Sequence, residues 1–112
     1  MAAKYEVRKT KSGFVFNLKA PNGKVILSSE VYEDSKSALK GVASVQKNSG
    51  SAKQYETRES KNKEPYFVLI AKNAEIIGKS EMYKSKKGCQ NGIASCMKFG
   101  PDAKVVDLNP II

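Results

Sequence analysis

The sequence predicts an α+β fold: tandem βββα repeats forming one antiparallel sheet, with two helices on one face and a swapped C-terminal strand. Two observations carry this. The stretch Lys40–Asn48, KGVASVQKN, returns fifty-one residues later as NGIASCMKF, and at the same offset SSEVYEDS (28–35) lies over KSEMYKSK (79–86) and FNLKAPNGKVI (16–26) over FVLIAKNAEII (67–77). The start of each copy, YEVR (5–8) and YETR (55–58), matches at an offset of 50, so one inserted residue in 59–65 absorbs the difference. A repeat near 50 residues is a supersecondary unit that buries too little by itself and must share its core. The chain of 112 residues is therefore expected to be one domain, 1–112, built of repeat 1 (about 4–51) and repeat 2 (about 54–112).

Each repeat reads the same way. YEVRK is short, alternating and rich in β formers, hence a strand; Lys11-Ser12-Gly13 is a turn. FVFNLKA alternates with Phe14, Phe16, Leu18 and Ala20 on one face. Asn22-Gly23 between apolar runs signals a two-residue type I′ hairpin, and KVILSS is the return strand. Asp34 or Ser35 caps a helix that runs to about Lys47, with Ala38, Val42 and Val45 on its apolar face. In repeat 2 the cap is Ser85 and the face is Cys89, Ile93 and Cys96, while Asn73-Ala74 replaces Asn-Gly and predicts a looser hairpin. AKVVDL (103–108) is a last strand, expected to join the sheet across the pseudo-twofold. Gly41 and Gly92 fall mid-helix, where glycine costs about 0.5–1 kcal/mol relative to alanine; its recurrence predicts that something packs closely on each helix.

Composition narrows the function classes. The chain carries a net charge of +9, spread evenly over both halves, and all but two of its twenty cations are Lys. Lys is a hydrated point charge rather than the bidentate fork of Arg, so the excess reads as solubility or as general attraction to polyanions. There is no His, which removes the usual neutral-pH base and the commonest metal ligand. Cys89 and Cys96 are about 10.5 Å apart along one helix, too far for a disulfide. They read as small core residues, and no metal site and no cofactor is expected. The start MAAKYEVRKTK lacks the apolar core of a secretory leader, and no run approaches the roughly 18 residues of a membrane span. No membrane contact and a cytoplasmic location are expected.

The combination of SEVY…KGVASVQKN, SEMY…NGIASCMKF and FNLKAPNG resembles the YegP-like family of bacterial tandem-repeat proteins, over almost the whole chain. The resemblance implies β(3)-α units, sometimes in two subunits, that form one sheet with swapped C-terminal strands. It implies no activity and brings no catalytic residues. This chain departs from the pattern at Ala74 and in its two Cys.

Candidate function therefore rests on the sheet face that the helices leave open. Glu6/Arg8 and Glu56/Arg58 place the only two Arg at one repeat position, either as cross-strand ion pairs or as two anion contacts related by the pseudo-twofold. Simple hairpin pairing sets Lys19 beside Ile26, Asn17 beside Ser28, Ile70 beside Ile77 and Val68 beside Lys79, with Tyr66 nearby. Two readings follow. In the first, a basic non-enzymatic binding module contacts nucleic acid or another polyanion through Arg8, Arg58, Lys19, Lys79 and Tyr66. In the second, an exposed aliphatic patch of Val68, Ile70 and Ile77 serves a protein partner or self-association, unless Pro110-Ile111-Ile112 covers it. Ser29-Glu30 and Tyr32, with Ser80-Glu81 and Tyr83, read as structure that tethers each helix.

Overall fold

The computed structural model describes residues 2–107. Strands β1 (Lys4–Thr10), β2 (Gly13–Lys19) and β3 (Val25–Ser28) precede helix α1 (Ser35–Asn48). A short 3₁₀ turn leads to β4 (Tyr55–Glu59), β5 (Pro65–Ile70) and β6 (Ile76–Lys79), then to helix α2 (Lys86–Phe99) and β7 (Lys104–Asp107). One seven-stranded sheet takes the order β4-β5-β6-β3-β2-β1-β7. The repeats meet at β3 and β6, antiparallel, through the single registered pair Ser28 and Lys79. Strand β7 leaves repeat 2 and pairs with β1 of repeat 1, as the swapped strand requires, but it runs parallel to β1 and makes the sheet mixed rather than wholly antiparallel. Leu108 and the Pro110-Ile111-Ile112 segment lie outside the described residues.

Both helices start from a polar cap: Asp34 Oδ1 accepts the Ser37 N–H at 2.7 Å and Ser85 Oγ accepts that of Gly88 at 3.0 Å. Both lie on the same sheet face, over Tyr5, Val7, Phe16, Leu18 and Leu27 of repeat 1 and Phe67 and Leu69 of repeat 2, all fully buried. Cys89 and Cys96 are free, buried thiols in this core, and burial pushes the Cys96 thiol up to about 12.

The mid-helix glycines and the Ser-Glu-x-Tyr segments are two halves of one device. Tyr32 lies against α1, stacked on Phe16 with centroids 6.1 Å apart, and Tyr83 lies against α2, stacked on Phe67 at 6.2 Å. A Cβ on Gly41 would stand 2.8 Å from Tyr32 Cζ, and one on Gly92 would stand 2.7 Å from Tyr83 Cζ. Each serine holds its tyrosine's segment to the sheet. Ser29 Oγ accepts the Phe16 N–H at 2.9 Å and donates to the Glu30 carbonyl at 2.7 Å; Ser80 Oγ does the same for Phe67 and Glu81 at 2.9 and 2.8 Å.

The two repeats also interlock at the helix C-termini. The Tyr5 hydroxyl donates to the Gly100 carbonyl at 2.6 Å, and the Tyr55 hydroxyl donates to the Ser49 carbonyl at 2.7 Å. Each tyrosine thus satisfies a carbonyl at the end of the other repeat's helix, where such groups lack intrahelical donors. Desolvation raises both phenols far above their ordinary range.

On the pseudo-twofold the copies cannot be identical. Leu27 and Gly78 occupy equivalent positions, and a Cβ on Gly78 would lie 2.6 Å from Leu27 Cδ2. Ser49 and Gly100 are equivalent in the same way, and a Cβ on Gly100 would lie 2.6 Å from Ser49 Cβ. At both places one side chain fills the shared space and its mate is absent.

The hairpins depart from the expected turn. Among the described non-glycine residues only Lys63 and Ala74 have positive φ, so Asn22 does not, and a type I′ turn is excluded. The Gly23 N–H donates to the Ala20 carbonyl at 2.8 Å with Gly23 at φ 85, which is a turn with Pro21 at its second position followed by a left-handed residue. Repeat 2 closes just as tightly: the Ala74 N–H reaches the Ala71 carbonyl at 2.9 Å, with Ala74 itself held at φ 72. The expected looseness is replaced by local strain, since a left-handed residue with a Cβ costs roughly 1–2 kcal/mol. Ala74→Gly is expected to raise stability by up to about 1 kcal/mol in urea titrations.

Candidate binding face

The open face is built by strand alternation from residues whose neighbours point into the core. One row crosses the whole sheet in register: Val106, Glu6, Asn17, Ser28, Lys79, Val68 and Glu56. Asn17 Nδ2 donates to Ser28 Oγ at 2.8 Å along it. The repeat 1 half is polar and tied together. Lys19 Nζ lies 2.8 Å and Lys4 Nζ 3.1 Å from the Glu6 carboxylate, and Lys19 followed by Lys4 holds the Glu6 pKa below the usual range. Glu6 therefore stabilises the fold above its unfolded pKa of about 4.3, and that contribution disappears as pH falls through the lower folded value. Glu6→Gln is expected to be less stable than the parent at pH 7, with the gap closing below about pH 4, as thermal melts across that range would record.

In repeat 2, Ile70 stands where repeat 1 has Lys19, so Glu56 turns to its own strand neighbour and meets Arg58 Nη2 at 2.8 Å. Arg58 faces Tyr66 across β4 and β5, and Lys79 Nζ lies 4.9 Å from the Tyr66 ring centroid. Arg58, Tyr66 and Lys79 thus stand in neighbouring positions on β4, β5 and β6, with Lys79 over the ring and Arg58 bound to Glu56. Beside Lys79 a depression of about 320 Å³ opens where β3 and β6 part, lined by Val25, Ser28 and Glu30 on one side and Ile76 and Glu81 on the other.

Two expectations need correcting. Arg8 is exposed opposite Val15 and pairs with no carboxylate among the described residues; Glu6 is taken by the two lysines instead. Arg8 and Arg58 stand on strands five spacings apart, roughly 24 Å along the sheet, so any anion contacts they make are separate ones. The second concerns the aliphatic patch. A bulge between Leu69 and Ile70 places Ile70 beside Ile76, and Ile77 turns into the core at 7 % exposure. The bulge between Leu18 and Lys19 likewise sets Lys19 beside Val25, with Ile26 in the core. Val68 stays on the open face but is covered, at 2 % exposure. Of the three patch residues only Ile70 is partly exposed, while its neighbour Ile76 is exposed at 43 %. Pro21 was the available signal, because it fixes the turn one residue earlier than Asn22-Gly23 suggests.

A tandem βββα sheet with two helices on one face defines a class, and comparison places the chain within it. The profile of a domain of unknown function, DUF1508, matches twice, over residues 10–56 and 60–107. The chain belongs to that family. It is 52% identical to the UPF0339 protein YegP of Yersinia pestis over 105 residues, covering 93% of this chain and 94% of that one. With the UPF0339 protein PA0329 of Pseudomonas aeruginosa the identity is 41% over 108 residues, covering 96% and 98%. Two solution NMR structures share the fold. That of YegP from E. coli, a protein of unknown function, has a TM-score of 0.91 at 41% identity, covering 100% of this chain and 97% of that one. The UPF0339 protein SO3888 of Shewanella oneidensis gives 0.89 at 44%, covering 96% and 92%. Among the described residues no helix is long and apolar enough to cross a membrane.

Proposed function

We propose that the protein is a small, non-enzymatic binding module of the cytoplasm whose open sheet face takes a polyanion, single-stranded nucleic acid first among them. The observation that carries this reading is the Tyr66 ring, with Lys79 Nζ over it and Arg58 opposite on β4. A base stacked on such a ring contributes about 1–3 kcal/mol, the flanking cations meet the phosphates, and the +9 charge raises the local concentration of any polyanion. Lys19 extends the basic surface across the seam; Arg8 stands apart at the other side. A non-enzymatic role fits the way the reactive groups are used. The Tyr5 and Tyr55 hydroxyls hold helix carbonyls, the Ser29 and Ser80 hydroxyls hold strands, and the Cys96 thiol is buried.

An amide NMR titration with single-stranded DNA and RNA, at about 50 and 200 mM salt, tests the reading. Saturable shifts at Arg58, Tyr66 and Lys79 that fade at the higher salt are expected, and Tyr66→Ala should weaken binding by about 1–3 kcal/mol. A spectrum that stays silent at low salt removes the proposal. A second reading, a protein partner on the aliphatic surface, is favoured by the exposure of Val31 (50 %), Ile76 (43 %) and Met82 (37 %). Shifts at those residues with an unchanged Tyr66, insensitive to salt, would select it.

A further inference from the structure

Strands β1 and β4 are equivalent in the repeat but not in the sheet. The outer edge of β1 is covered by β7, whereas the outer edge of β4 meets no strand among the described residues. After α1 the chain turns directly into β4 itself, so repeat 1 supplies no strand to place beside it. The groups that this edge presents follow from the neighbouring ladder. Phe67 sends its C=O to the Ser80 N–H and its N–H to Ser80 Oγ, both at 2.9 Å, so Phe67 and Thr57 are a non-hydrogen-bonded pair. The Thr57 N–H and C=O therefore point away from β5. By the same alternation so do those of Glu59, opposite Pro65, whose C=O accepts the Tyr83 N–H at 2.8 Å, and so does the Tyr55 C=O. The Tyr55 N–H is already given to the Ala52 carbonyl.

We propose that this edge pairs with a second copy of the chain, antiparallel and centred on Thr57. Three features of the strand Tyr55-Glu56-Thr57-Arg58-Glu59 support that occupant. In this register the outward groups meet their complements: Thr57 exchanges N–H and C=O with the partner's Thr57, and each Glu59 N–H finds the C=O of the partner's Tyr55. On the open face Glu56 then stands opposite the partner's Arg58, and Arg58 opposite the partner's Glu56, in close non-hydrogen-bonded pairs. With the existing Glu56–Arg58 pairs at 2.8 Å, this closes a ring of four alternating charges. Sliding the register by two residues sets Glu56 against Glu56 or Arg58 against Arg58. The charges that normally keep an edge strand from pairing thus permit one alignment. The contact is isologous and stops at two copies. It is also small, and the +9 carried by each copy opposes it, so the dimer is a weak one.

The test is sedimentation velocity of the full chain together with amide exchange at Thr57 and Glu59, from about 0.05 to about 1 mM. The expected result is a monomer–dimer equilibrium with protection of those two amides rising with concentration. Glu56→Arg should weaken association roughly tenfold, and the exchange Glu56→Arg/Arg58→Glu should restore it. Thr57→Pro, which removes only an outward N–H that the monomer does not use, should keep the fold and abolish the dimer. A chain that stays monomeric at about 1 mM, a Glu56→Arg variant that associates like the parent, or species that grow beyond two copies through the edge of β7 would each overturn the proposal. If Thr57→Pro fails to fold, the two charge variants decide.

Discussion

Gly78→Leu, which restores leucine to both copies of the axial position, is expected to destabilise the protein by about 1–3 kcal/mol through overpacking. A Cβ at this position already lies 2.6 Å from Leu27 Cδ2, and the remaining atoms of a leucine would enter the same space. Leu27→Gly is expected to cost more, since a fully buried side chain leaves a cavity worth about 2–5 kcal/mol. The informative variant is the exchange, Leu27→Gly/Gly78→Leu. It keeps one leucine on the axis and hands it to the other repeat, so it should recover most of the stability lost in the single variants. Urea midpoints of the four proteins form a double-mutant cycle. If the two losses simply add, the residues do not share one space and the axial argument is wrong.

Gly92→Ala is the second large effect, and its sign is opposite to the usual one. In an exposed helix interior this change stabilises by about 0.5–1 kcal/mol. Here the new methyl would lie 2.7 Å from Tyr83 Cζ and 3.0 Å from Phe67 Cε2, so a ring wedged between sheet and helix must move. A loss of about 1–3 kcal/mol is expected in thermal or urea melts. Because the tyrosine hydroxyl makes the closest approach, Tyr83→Phe should rescue part of it, and Gly41→Ala with Tyr32→Phe should behave alike in repeat 1. A Gly92→Ala variant as stable as its parent would show that the tyrosine is free to leave the helix. The phenol is measurable too: desolvation, then Glu81, pushes Tyr83 up to about 12, a shift that a loosened ring would lose.

These glycines also mark how far the sequence could be read. Their recurrence showed that something presses on each helix, because an unfavourable residue repeated at one place implies a packing reason. What presses was not readable, since Tyr32 and Tyr83 belong to a motif that looked like a simple tether. Element order and the swapped strand followed from repeat and alternation, which are properties of the sequence itself. The direction of β7 was missed, as no local signal distinguishes a parallel from an antiparallel neighbour. The open face fared worst. Alternation located the face, but one bulged residue per hairpin moved Ile26 and Ile77 inward and brought Val25 and Ile76 out. A register slip of one residue changes the facing of everything beyond it. Covered Val68 illustrates a further limit: the side chains around a strand position decide its exposure, and sequence alternation does not report them.

The pairing of β7 with β1 has a consequence for the order of events in synthesis. The strand made first pairs with the next one at once, but its outer edge is covered only by β7, and the Tyr5 hydroxyl waits for a carbonyl 95 residues further along. At about 5–20 residues per second, that outer edge stays uncovered for roughly 5–20 s before β7 exists. The Tyr55 hydroxyl, by contrast, meets its carbonyl six residues back, as soon as it emerges. Repeat 1 is thus translated first yet finished last, and the closing contacts of the whole chain are among its longest-range ones, which slows folding.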